Sequence, residues 1–335
     1  MRRSGDGMNE KVRLRGKRRK RKPPINQWLA LGSAACFIVA AVLLVRYARM
    51  TASTVKTQQE LRAAYEGEEA APTPLDAVPA ATEEAMPFVS FSPPPAALTP
   101  PPVFAAATQI PVGAAQTTVQ ATPEPAMGER FVELYRRNGD IAGWLKIPAV
   151  KEIDFPIVHS SDLFYIDHDF YRRKNAGGTA FLDCANSILP RDENLIIHAH
   201  NMKNGTMFGK LHTLLNLETL KSSPLLSFDT LYDKGIYAPY AVALVSIEPS
   251  SDRYFPLFET NFDSDEARDE YVQALRQFSV FALPVDVIND DELLTLATCH
   301  GKEDTERLVV GYRKLRDYEE QEKMENVIRS ATIRR

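Results

Sequence analysis

Cysteine is scarce in this chain: Cys36, Cys184 and Cys299 are the three in 335 residues. So few exclude a small disulfide-stapled scaffold, and a chain of this length can bury a core without staples. One bridge between Cys184 and Cys299 is conceivable, but the count also suits a protein that keeps one thiol free. Acidic residues are nearly missing from residues 1–22, which hold eleven Lys or Arg against two Asp or Glu. A like-charge block this dense is expected to be solvated. Charge then disappears altogether between Gln27 and Arg46, a run of about twenty residues, enough to cross a hydrocarbon core. A small-x-small cleavage site is missing as well, since Arg46, Tyr47, Arg49 and Met50 crowd the exit. The run therefore reads as an uncleaved anchor and not as a removed signal peptide.

The positive flank orients such an anchor with the basic side inside. Residues 1–24 are expected to form a cytoplasmic tail, 25–46 a single transmembrane helix, and everything beyond Arg46 to lie outside the cell. Cys36 is then an apolar filler within the span. The position of the basic block directly before an apolar run argues against a nucleic-acid arm, so no nucleic-acid partner is expected.

Residues 47–126 lack the composition to build a core. The stretch 51–65 is polar and helix-compatible, a possible continuation of the span. Residues 67–126 then hold thirteen of the 23 prolines, including Pro93-Pro94-Pro95 and Pro100-Pro101-Pro102. This is expected to be a disordered, partly polyproline II spacer that holds a domain away from the membrane.

A globular domain is expected over 127–317, with 318–335 as a tail, either a surface helix or a frayed end. Met127, Phe131, Leu134 and Tyr135 predict a helix that stops at Asn138-Gly139. Short β-branched and aromatic runs follow at 143–147, 155–159, 178–182, 194–200, 225–231, 236–247, 285–287, 293–299 and 306–312. Asp233-Lys234-Gly235 supplies a hairpin turn between two of them. Thr206 is expected to cap a helix bearing Met207, Phe208, Leu211, Leu214 and Leu215. Asp263 and Glu266 are expected to box a second helix with Tyr271, Val272, Leu275 and Phe278. Many strands with few helices predict a mostly β barrel with helical insertions.

Three places could carry chemistry. Cys299 ends an apolar run, followed by His300 and the polar stretch 301–306. It is either a buried structural thiol or a nucleophile whose loop opens it to solvent. His198 and His200 share a face if their strand runs that far, which suits a proton shuttle, a structural role or a zinc pair. No third ligand is evident among His159, His168 and His212. A metal-dependent hydrolase on His198 and His200, or a non-catalytic wall-binding module, therefore stay open on the residues alone. Arg307 and Arg313 share parity on the last strand, so alternation does not choose which could stabilise an oxyanion.

These stretches resemble a known family. Thr295-Leu296-Ala297-Thr298-Cys299 is similar to the Thr-Leu-x-Thr-Cys signature of sortases, the membrane-anchored cysteine transpeptidases of Gram-positive bacteria. Gly143-Trp144-Leu145-Lys146-Ile147-Pro148, Phe155-Pro156-Ile157-Val158, Asp169-Phe170-Tyr171 and Gly178-Thr179-Ala180-Phe181-Leu182-Asp183 resemble the class B members, as does His200-Asn201-Met202 through Gly205-Thr206-Met207-Phe208-Gly209. The similarity runs from about Arg130 to Leu315. It implies an eight-stranded sortase-like β-barrel, with His200 as the catalytic histidine, Cys299 the nucleophile and Arg307, which opens the strand after the cysteine loop, the arginine. Thr298 and Asn201 would support the oxyanion or substrate, and His198 would alter His200 or replace the family's tyrosine. Cys184 stands where an aromatic or polar residue is expected and reads as structural. The resemblance implies no cofactor. It implies secreted proteins with a C-terminal sorting signal as acyl donors, and an amine of a peptidoglycan precursor or a pilin lysine as acceptor.

Overall fold

The computed structural model describes residues 25–67, 125–301 and 304–334, with only the helical backbone for residues 25–38. The expected basic tail 1–24 and most of the proline-rich stretch, 68–124, lie outside the described residues. The chain divides into two compact units, residues 1–56 and 57–335. One helix, α1 (Ile25–Glu66), runs through the expected span and on past it. Among the described residues no helix is long and apolar enough to cross a membrane, and the side chains of 25–38, most of the apolar run, lie outside them.

The second unit is built on a closed barrel of eight strands. In chain order the strands are β1 (Ile141–Lys146), β2 (Asp154–Val158), β3 (Phe181–Leu182), β4 (Asn194–His198), β5 (Leu226–Thr230), β6 (Lys234–Ser246), β7 (Phe281–Ala282), β8 (Leu293–Cys299), β9 (Glu306–Lys314) and β10 (Thr332–Ile333). The barrel order is β1-β2-β3-β4-β8-β9-β6-β5, and β7 and β10 form a separate two-stranded ladder. Most neighbours are antiparallel, but β2–β3 and β4–β8 run parallel. The β4–β8 pair brings together two segments about a hundred residues apart in sequence, and it is the pair that matters for chemistry. Closure leaves no exposed barrel edge. Inward side chains such as Leu145, Ile157, Leu195, Ile197, Leu296 and Val310 fill the interior.

Local sequence explains several details. The β5–β6 turn lies at 230–233, just ahead of the expected Asp233-Lys234-Gly235: Thr230 N–H donates to the Asp233 carbonyl at 2.8 Å, and Lys234 and Gly235 already pair with β5. Pro239 has no N–H to give the ladder, and the β6–β9 register shifts between Pro239 and Ala241. Helix α2 (Glu129–Arg137) buries Phe131 and Leu134, and the Asn138 N–H caps it on Leu134 O at 2.9 Å. A short α3 (Leu217–Ser222) has Asn216 as its cap. Helix α4 (Asp265–Phe278) buries Tyr271, Val272 and Leu275 against the barrel.

Three expectations need correction. The cap of α4 is Ser264, whose hydroxyl accepts from Ala267 N–H at 3.2 Å, so the helix starts after Asp263. The segment after Thr206 is a 3-10 helix, Phe208–Leu215, because Met207 adopts φ 53° and ψ −130°, which no regular helix can include. Residues 285–287 are not a strand; the Asp286 carbonyl instead accepts from Arg313 Nε at 2.9 Å. Of the two expectations for the tail, a helix is what forms: α5 (Gln321–Arg329) buries Met324 and Ile328, and β10 pairs with β7.

The last turns of α1, expected as part of a spacer, instead belong to the second unit. Leu61 and Tyr65 are buried in a second core cluster with Phe131, Leu134, Trp144, Val158 and Tyr165. The Tyr65 ring stacks on Trp144 with centroids 4.3 Å apart and planes 4° apart, and its hydroxyl donates to Asp229 Oδ2 at 2.8 Å. Arg62 pairs with Asp154 at 3.2 Å. Tyr65 also meets Phe131 of α2 at 5.4 Å. The helix before the proline-rich stretch and the helix after it thus sit on one flank of one barrel.

Candidate active site

The parallel β4–β8 ladder pairs His198 with Ala297. Continued two residues beyond β4, that register carries His200 to the level of Cys299. The loop after β4 is tied there directly, as Asn201 Nδ2 donates to the Cys299 carbonyl at 3.1 Å. Thr298, 2% exposed, donates its hydroxyl to the Ala199 carbonyl at 2.8 Å. It is thus an inward tie between the two strand ends. Cys299 itself is exposed and a free thiol.

Arg307 is the cross-strand partner of Cys299 in the antiparallel β8–β9 ladder. Partners directly opposite each other present their side chains on the same face, with Cβ atoms about 5 Å apart. Arg307 is half-buried, and its guanidinium donates to the carbonyls of Asp304 and of Glu306, the latter at 2.9 Å. Arg313 lies six residues along, about 20 Å away at the strand rise. Its side chain is 0% exposed and bound by Asp286 at 3.0 Å, Asp291 at 3.7 Å and Glu319. Alternation left the two arginines equal; the structure gives Arg313 to the barrel's other end as an internal ion cluster.

His200 is held by a group that sequence reading did not identify. Its Nε2 lies 2.7 Å from the Ile166 carbonyl, which belongs to a single 3-10 turn, Phe164–Ile166, in the long β2–β3 connection. A carbonyl only accepts, so Nε2 carries the hydrogen and proton exchange falls to Nδ1. Nothing in the sequence marks a backbone carbonyl as a partner. A weak trace is Gly178, with φ 59°: a Cβ there would stand 2.6 Å from both the Tyr165 and Ile166 carbonyl oxygens. Glycine is what lets these two backbones meet.

His198 faces elsewhere. Its Nε2 is 2.9 Å from Asp183 Oδ2, and its ring tilts against Phe181 and Phe258. Burial pushes the Asp183 carboxyl up, but the hydrogen bond and charge of His198, with the Ala185 N–H, outweigh it and hold the group below the usual carboxylate range. The two histidines are therefore committed to different oxygens. Among the described residues no three His, Cys, Asp or Glu side chains gather as a metal cluster. Cys184 is partly buried, and burial followed by the Asp183 charge pushes its thiol up. That is the opposite of an activated nucleophile and matches a structural role. A cavity of about 440 Å³ lies along α4, lined by Pro256, Phe262, Tyr271 and neighbours and by none of the residues around Cys299.

An exposed thiol, a cross-strand arginine and a tethered histidine loop at one barrel end are joined by direct comparisons. The family model for the sortase domain matches residues 145–314, just over half of the chain. The chain belongs to the sortase family. Sortase B of Listeria monocytogenes is 35% identical over 179 residues, covering 52% of this chain and 69% of that protein. Sortase B of Staphylococcus aureus is 26% identical, covering 54% and 72%. A Bacillus anthracis structure described as similar to sortase B aligns at a TM-score of 0.51 with 27% identity, covering 58% of this chain and 86% of that one. This sortase is thus class B-like, a cysteine transpeptidase on the expected eight-stranded barrel.

Proposed function

We propose that this sortase cleaves a C-terminal sorting motif of secreted proteins and transfers the acyl group to a cell-wall or pilin amine, working outside the cell from a membrane anchor. In this reading Cys299 is the nucleophile, His200 the acid and base, and Arg307 the oxyanion donor. The Cys299 thiolate attacks the scissile backbone carbonyl, forming the C–S bond as the carbonyl π electrons move onto oxygen. Arg307, leaving its loop carbonyls, donates to that oxyanion. The intermediate collapses, the C–N bond breaks, and Nδ1 of protonated His200 gives its proton to the departing amine. The acceptor amine then attacks the thioester and loses its proton to neutral His200. The amide forms and the Cys299 thiolate leaves, restoring the starting state.

The observation that carries this reading is the pairing of Cys299 with Arg307 across β8–β9 while Asn201, next to His200, donates to the Cys299 carbonyl. Three residues from two distant stretches thereby share one barrel end. The uncharged run 28–45 with its basic flank supports the anchor and its orientation. The test is mass spectrometry of the purified protein with a sorting-peptide library and an added amine. A thioacyl adduct on Cys299, absent in Cys299→Ala of unchanged fold, is expected. Cleavage that persists in Cys299→Ala would refute the assignment.

A further inference from the structure

Two histidines outside the reacting set meet beside the nucleophile. His300 directly follows Cys299, and its Nδ1 lies 3.0 Å from Nε2 of His212. The rings lie nearly face to face, centroids 5.1 Å apart at 21°. His212 belongs to the 3-10 helix Phe208–Leu215, which is rooted in the core by buried Phe208, Leu211 and Leu214. The same segment holds the histidine loop, since Phe208 N–H donates to the His200 carbonyl at 3.0 Å. One short rigid piece therefore grips the backbone of His200 and, through its own imidazole, the residue after Cys299.

We propose that His212 and His300 are a positioning pair for the transpeptidation, fixing the end of β8 so that Cys299 stays level with Arg307 and His200. This rests on the reading of Cys299 as nucleophile. The strand end needs such a hold, because the loop that follows is polar and turns back at Gly301, φ 70°. Among the described residues the backbone is also tied here by the His300 N–H to the Glu306 carbonyl at 3.0 Å and by Asn201 Nδ2 to the Cys299 carbonyl at 3.1 Å, but neither holds the His300 ring. Losing the ring contact frees the first residue of the loop that carries Arg307 back to the site.

The chemistry of the contact gives it a pH signature. Two facing imidazole nitrogens bond when one donates and the other accepts, so the pair holds with no extra proton or with one. With two, both nitrogens carry hydrogens, the bond is lost and two cations face each other. Burial, and then the charge of His300, push the His212 imidazole down from its ordinary value. Among the described residues, Arg253 and Glu306 are the charged groups that line the same cavity of about 130 Å³ as His300, with Ser246 and Ser251.

The experiment uses the full chain and follows thioacyl formation and peptide cleavage from pH 5 to 8, with histidine ring NMR titrations alongside. His300→Ala is expected to lower kcat/KM roughly tenfold through misplacement of the strand end, and to let the His212 titration move up toward an ordinary histidine. His300→Asn sets a neutral amide near the Nδ1 position that can donate to neutral His212 or accept from its cation. It should recover most of that loss and move the acid limb of the rate profile to lower pH. A His300→Ala protein with unaltered rate and pH profile, or a His212 titration blind to the change, overturns the proposal. If His300→Ala fails to fold, the His300→Asn profile against the unaltered protein decides, and an unmoved acid limb overturns it. An absent adduct in the unaltered protein refutes the Cys299 reading and the proposal together; equal adduct formation in His300→Ala at every pH refutes the pair alone.

Discussion

Gly178→Ala should damage catalysis without touching a reacting side chain. Gly178 sits at φ 59°, and an added Cβ would lie 2.6 Å from the Tyr165 and Ile166 carbonyl oxygens. Left-handed backbone at a non-glycine residue costs about 1–2 kcal/mol. The overlap adds to that, because backbone oxygens cannot swing aside as a flexible side chain would. The 164–166 turn must move, and the Ile166 carbonyl is the acceptor for His200 Nε2 at 2.7 Å. A lost neutral hydrogen bond is worth about 1 kcal/mol of stability, but misplacing a catalytic group by an ångström can cost about a hundredfold in rate. We therefore expect melting to fall by several degrees and kcat/KM for sorting-peptide cleavage to fall about ten- to a hundredfold. Gly67→Ala is the control: it has φ 76° with nothing within 4 Å, so it carries strain without a collision near the site. In a His200→Ala background, Gly178→Ala should cost little further activity, because the carbonyl would have nothing left to orient. A Gly178→Ala protein with native kcat/KM would refute the argument that this carbonyl sets His200.

Tyr65→Ala removes the stack on Trp144 and the bond to Asp229, and thermal melts should show a loss of about 3 kcal/mol. Tyr65→Phe should lose about 1 kcal/mol, and an unchanged melting point in Tyr65→Ala would show that α1 does not dock in solution. Arg313→Ala removes a fully buried guanidinium from Asp286 and Glu319 and leaves Arg316 as the cation facing them and Asp291, and should cost about 3 kcal/mol by denaturant unfolding; Arg307→Ala should abolish turnover with little change in stability. Asp286 and Glu319 are each pushed up by burial but held below the carboxylate range on balance, chiefly by Arg316 and Arg313 respectively. Their folded pKa values lie under the unfolded ones, so their contribution is full above about pH 4.5 and is lost as pH falls through the folded values. Melting temperature should drop below about pH 4, and the drop should shrink in Asp286→Asn with Glu319→Gln; an equal slope in that variant would place the acid sensitivity elsewhere.

The linear pattern carried much of this protein by itself. Alternation and β-branched runs marked nearly all the barrel strands, and the order of short motifs around Cys299 and His200 marked the family, since strand periodicity and a reactive thiol's neighbours are local properties. Short-range chemistry also failed where two local signals competed. Thr206 looked like a helix cap until the backbone turned left-handed at Met207, and Asp263 looked like one until Ser264 took the place.

Only the tertiary structure decided what depends on distant pairing. Arg307 and Arg313 are equal by parity, and the barrel register alone sets one beside Cys299 and buries the other among carboxylates. The Ile166 carbonyl, the His212–His300 contact and the docking of Tyr65 on Trp144 join residues separated by tens of positions. No window of sequence contains both partners. Residue types and local periods were written along the chain, whereas the groups that orient the thiol and the imidazole arise where barrel closure brings strand ends together.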